Sequence, residues 1–146
     1  MNKILNRFLL LTSILLFVAC NSNIKTNKEA KIMNKNDKET AFLLILNHPE
    51  LQQYFHEEED NRIPIKVQTN ETLGTDMSIT KFDKLVEFYG SNETKNLTPI
   101  FEVTQFDFKE NRVIFNILYN IEGITIKGKL SKENEWKIVE FDVSES

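Results

Sequence analysis

Val113-Ile114-Phe115-Asn116-Ile117-Leu118-Tyr119 is the stretch that decides the fold. Val113, Phe115, Ile117 and Tyr119 fall on one side, and Ile114, Asn116 and Leu118 on the other. A period of two is the mark of a β-strand, because successive side chains point to opposite faces. The pattern extends in both directions. Upstream, Phe101, Val103 and Gln105 alternate with Glu102, Thr104 and Phe106, and Lys109-Glu110-Asn111 provides a hairpin turn. Downstream, Glu122-Gly123 turns the chain, and Ile124, Ile126 and Leu130 continue the parity. Gly128 inside that run marks a bulge or a close approach. Ser131 to Glu135 turns again, and Trp136, Ile138, Val139, Phe141 and Val143 form the last strand. Three turns joining four neighbouring strands predict an antiparallel meander.

Before the meander the signal is helical, then mixed. Asn36 followed by Glu39 fits a capping box, and Ala41, Phe42, Leu44, Ile45 and Leu46 make the helix apolar over much of its surface. Pro49 interrupts, and Asn47 or His48 can cap a second short helix that carries Leu51, Tyr54 and Phe55 at i, i+3, i+4. Ile63, Ile65 and Val67 alternate as a strand, which Pro64 pushes to an edge or a strand start. Asn70 to Asp76 reads as a loop. Between Met77 and Tyr89 a strand at 77–79 and a helix at about 80–89 are expected, from Phe82, Leu85, Val86 and Tyr89 on one helical face. Val86 and Phe88 also fit a strand. The expected class is α+β: N-terminal helices followed by a curved antiparallel sheet ending in the four-strand meander.

That order resembles the cystatin-like and nuclear-transport-factor-like α+β folds. The likeness rests on Tyr119, Gly123, Gly128, Leu130, Lys132 and Trp136-Lys137-Ile138-Val139. It implies a curved sheet around a long helix, from which the break at Pro49 departs. It implies architecture rather than activity. Enzymes of the transport-factor type place His, Asp or Tyr in a cone-shaped pocket, and Tyr54, Tyr119, Asp107 and Glu122 are the residues here that could face one. Against that, the Phe-rich strands are expected to fill the interior, since interiors are close-packed.

The amino terminus has a different character. Lys3 and Arg7 precede Phe8 to Ala19, which is apolar except for Thr12 and Ser13. Twelve helical residues span only ~18 Å at ~1.5 Å each, against a bilayer core of ~30 Å. Length and flanks fit an export signal over residues 1–19. The segment ends Phe17-Val18-Ala19-Cys20, and Cys20 is the only cysteine of the chain. Small Ala19 before Cys20 resembles the lipobox of bacterial lipoproteins, although Phe17 replaces the usual Leu. The resemblance implies cleavage before Cys20 and a diacylglyceryl group, with palmitate among the acyl chains, on its thiol. The alternative is an ordinary secretory signal with an incidental Cys near the cut.

Removing residues 1–19 takes away two of the 18 basic residues and none of the 22 acidic ones, leaving 16 against 22. Residues 20–35 are mostly Asn, Lys, Ser, Thr and Glu, too polar to bury a core, and read as a flexible lipid-anchored tether. Residues 36–146 are expected to form one domain. The expected address is the cell envelope, through acyl chains on Cys20. If the host has two membranes, Asn21 in place of an aspartate points to the outer one.

Few chemistries remain open. An acidic balance argues against nucleic acid, which needs clustered Lys and Arg. A lipidated Cys20 is neither nucleophile nor metal ligand. His48 and His56 are the only imidazoles. His56 before Glu57-Glu58-Glu59-Asp60 suggests a cation site at first sight, but there is no HExxH spacing and a zinc site needs three or four converging ligands. No Gly-x-Ser-x-Gly elbow and no phosphate-binding Gly-x-x-x-x-Gly-Lys loop occurs. No catalytic residue, metal or cofactor is therefore expected. The leading expectation is a non-catalytic lipid-anchored domain that binds a protein or small ligand. Two alternatives are an inhibitor or immunity-type lipoprotein against a basic enzyme or toxin, and a small enzyme with a sheet-helix pocket.

Overall fold

The computed structural model describes residues 32–94 and 97–145. The expected signal segment, Cys20 and most of the expected tether lie outside the described residues. In chain order the elements are α1 (Lys35–Leu46), α2 (Pro49–Gln52), β1 (Lys66–Gln68), β2 (Thr80–Lys81), β3 (Lys84–Leu85), β4 (Glu87–Tyr89), β5 (Phe101–Lys109), β6 (Arg112–Tyr119), β7 (Ile124–Lys132) and β8 (Trp136–Glu145).

The N-cap of α1 is Asn34, two residues before the expected cap. The Asn34 side chain accepts from the Asp37 amide at 2.9 Å, satisfying one of the free N–H groups of the first turn. Asn36 lies inside the helix, where its carbonyl accepts from the Thr40 hydroxyl. Met33, just outside the cap, is buried, so packing begins earlier than Asn36. Ala41, Phe42, Ile45 and Leu46 form the buried side of α1. On its flank Lys38 donates to the Leu73 carbonyl, and Glu39 accepts from the Ser78 amide, fastening the long loop after β1. α2 is capped by His48 with Pro49 in its first turn, and it ends at Gln52, before Tyr54 and Phe55.

The α+β expectation is corrected here. Strands hold 41% of the described residues and helices 14%, so the described part is mostly β with two helices ahead of the sheet. The main sheet is mixed, in the order β4-β1-β5-β6-β7-β8, with β1 parallel to both neighbours and β5 to β8 antiparallel. It is not the all-antiparallel curved sheet around a long helix that the cystatin-like and transport-factor-like resemblance implied. β1 therefore lies inside the sheet rather than at its edge. Parallel neighbours need crossover connections. Here the β1-to-β4 crossover is a loop carrying the two-stranded sheet β2–β3.

The helix expected at about 80–89 is likewise replaced by three short strands. Phe82 and Asp83 have φ of 53° and 55° and join β2 to β3 in a two-residue turn, a conformation an α-helix excludes. Leu85, expected on the apolar face, is exposed. β4 instead extends the sheet along β1, and Phe88 sets its ring edge-on to Phe42 at 5.8 Å.

One side of the sheet is the core. Phe101, Val103, Phe106, Val113, Phe115, Ile117, Tyr119, Ile124, Ile126, Leu130 and Trp136 are buried there with Phe42, Ile45 and Leu46 of α1. Register shifts between Val103 and Gln105 on β5 and opposite Lys129 and Leu130 on β8 add one residue each, Thr104 and Val139. Such bulges keep the alternation in phase with the core on both sides of the extra residue. At the end of the meander Trp136 donates through Nε1 to Asp37 at 3.0 Å, and Lys132 donates to the same carboxylate, so α1 is tied to β8.

Candidate functional site

Ionisable side chains gather at the other end of the sheet, where the turns after α2 meet the β6–β7 connection. Phe101 and Tyr119, register partners on β5 and β6, stack with centroids 3.9 Å apart and point the Tyr119 hydroxyl toward this end. Arg62, buried apart from 9% of its surface, donates to that hydroxyl at 3.1 Å. It also pairs with Glu122 at 2.6 Å and with Glu59 at 3.0 Å. His56 Nε2 lies 3.6 Å from Glu122, and His56 Nδ1 lies 3.5 Å from Glu58.

The electrostatics follow from these contacts. Burial acts to lower the Arg62 pKa, but Tyr119, Glu59 and Glu122 more than offset it and hold the guanidinium charged. Burial raises the Tyr119 pKa, against the pull of Arg62, so the phenol stays neutral. A guanidinium with three partners is a satisfied clasp between the 56–62 segment and the β6–β7 turn. Its carboxylates are held by a fixed cation through charge-assisted hydrogen bonds.

Of the four residues singled out for a pocket, the structure brings Tyr119 and Glu122 together. Asp107 is exposed on the far face of the sheet, where it accepts from Gln105 at 2.6 Å. Tyr54 packs half-buried against the core. The two histidines part company. His48 stacks on Phe141 of β8 with centroids 3.6 Å apart, and its buried Nδ1 has no hydrogen-bond partner among the described residues. His56, Glu58 and Glu59 each bring a ligand-type atom within 4.8 Å of the others. Glu59 is already held by Arg62, and both glutamates are exposed, so the cluster carries no metal assignment.

Sequence reasoning passed over Arg62. The available signal was its i+3 spacing from Glu59 at the end of an acidic run, directly before an apolar Ile-Pro-Ile. It also passed over Asp37, whose partners lie at the far end of the chain.

The side of the meander away from α1 stays open. Ile114 is 44% exposed and Val139 61% exposed, among Asp107, Lys129 and Glu140. An open groove of about 700 Å³ runs over them. Lys129 and Glu140 pair across it at 2.7 Å.

No protein-family model matches the chain, and no curated protein or solved structure matches it significantly. No helix among the described residues is long and apolar enough to cross a membrane.

Proposed function

We propose that this is a lipid-anchored protein of the cell envelope, held through acyl chains on Cys20, whose folded part is non-catalytic and acts by binding a protein or small ligand. The carrying observation is the state of the interior. The face where a transport-factor-type pocket would open is filled by Phe42, Phe101, Phe106 and Phe115, and the ionisable groups at its rim are bound to one another through Arg62. The anchor is supported by the short apolar run ending Ala19-Cys20. Two or three chains, at ~0.8 kcal/mol for each buried CH₂, hold a protein stably on a bilayer. The binding reading is preferred to inhibition of a basic enzyme because Glu59 of the Glu57 to Asp60 run is already paired with Arg62.

The test is metabolic labelling with a fatty acid, followed by membrane fractionation. Wild type takes up label and sediments with membranes, in the outer fraction where the host has two. Cys20→Ser takes up none and is released or left unprocessed. An unlabelled wild type sinks the anchor.

A further inference from the structure

We infer that the free edge of β8 is a docking edge for an extended basic segment of a partner protein, which adds to the sheet as another strand. The inference rests on the reading of the folded part as a binding domain, and it names the chemistry of the partner. β8 closes one side of the six-stranded sheet, with β7 on one flank and no strand of the described residues on the other. The opposite edge, β4, has three residues, whereas β8 has ten. At ~3.3 Å per residue that edge is about 33 Å long. A row of backbone N–H and C=O groups of this length is a template for strand addition.

Charge selects the occupant. Glu140, Asp142 and Glu145 are all exposed on β8, against one cation, Lys137. Two copies of β8 pairing antiparallel about residue 141 would set Glu140 opposite Asp142, and about residue 142 they would set Asp142 opposite itself. Like charges directly opposite one another destabilise a ladder. These central registers disfavour a second copy and, by the same argument, an acidic strand, while Lys and Arg on an incoming strand find carboxylates across from them. Val139, pushed out by the bulge, adds an exposed apolar contact beside those charges. Glu140 and Asp142, two residues apart and on one face, are the anchors; Lys129 and Lys127 of β7 stand opposite them in register.

The test uses the full-length chain in a non-ionic detergent with three blocked peptides of about nine residues, matched to the strand. One alternates Lys and Val and one alternates Glu and Val. The third is the Lys/Val peptide with Pro at its centre, which interrupts a ladder. The readout is backbone hydrogen exchange across residues 136–145. The Lys/Val peptide is expected to slow it about tenfold, an effect that shrinks between about 50 and 500 mM salt. The other two peptides leave it unchanged. Glu140→Lys combined with Asp142→Lys transfers the response to the Glu/Val peptide. Equal protection by both charge types, protection by the Pro peptide, protection confined to β4 or to loops, or no protection at all overturns the proposal. Protection elsewhere leaves the binding-domain reading standing and removes only the edge, and loss of the acyl label on Cys20 affects the anchor alone.

Discussion

Gly128 of β7 lies directly beneath the ring of Phe115 on β6. A Cβ at 128 would come within 2.6 Å of the ring Cζ and would also strike the Glu140 carbonyl oxygen. The core at this point has room for one aromatic ring because its neighbour has no side chain. Gly128→Ala is expected to cost about 1–3 kcal/mol or more, as overpacking does, read from the urea midpoint. Phe115→Leu in the same chain should recover part of that loss. Strict additivity of the two changes would show that the ring is not what excludes the methyl group.

Arg62 joins three partners that lie apart in the chain. Arg62→Ala should cost about 3–5 kcal/mol, because it leaves Glu122 and Glu59 without their cation at a partly buried end of the sheet. Arg62→Lys should recover only a fraction, since one ammonium does not reproduce the guanidinium fork. A chemical denaturation midpoint for Arg62→Ala equal to wild type would refute the clasp.

Asp37 makes acid stability depend on the far end of the chain. Burial acts to raise its pKa, but hydrogen bonds from Lys132, Trp136 and Asn34 together with the Lys132 charge leave it lowered. A carboxylate lowered in the folded state contributes stability that is complete above its unfolded pKa of ~3.9 and lost as pH falls through the folded value. Asp37→Asn should therefore be less stable by about 1.5–3 kcal/mol at pH 7, the range for hydrogen bonds to a charged group. Its deficit against wild type should shrink as pH is lowered through and below 4. Denaturant titrations at three pH values would expose a constant deficit, which would count against the ionised form.

Met33 and Asn34 place the start of the packed unit ahead of Asn36. Met33→Ala should cost about 2–5 kcal/mol if the site does not collapse. Asn34→Ala should cost about 0.5–2 kcal/mol through the lost cap. Ile32→Ala, at an exposed position, should change the thermal midpoint by no more than a degree or two.

The sequence by itself determined the strand parity of β6. Val113, Phe115, Ile117 and Tyr119 face the core as their spacing requires, because side-chain direction along a strand is set by the backbone two residues at a time. The turn at Glu110 and Asn111, with φ of 52° and 61°, and the close approach at Gly128 were legible for the same local reason. The reading of Cys20 as an anchor also comes from sequence alone. Only the tertiary structure decided that β4, β1 and β5 run parallel. Strands of three residues carry too little periodicity to declare themselves, and a parallel pair is closed by a crossover that no local pattern encodes. The same holds for the helix misread at 80–89, where half-buried packing of Phe88 against the core and a ladder to β1 outweighed a helical spacing of apolar residues. It holds most plainly for the clasp and the tie. Arg62 meets Tyr119 across 57 positions and Asp37 meets Trp136 across 99. Such contacts exist only once the sheet has brought the ends of distant segments together.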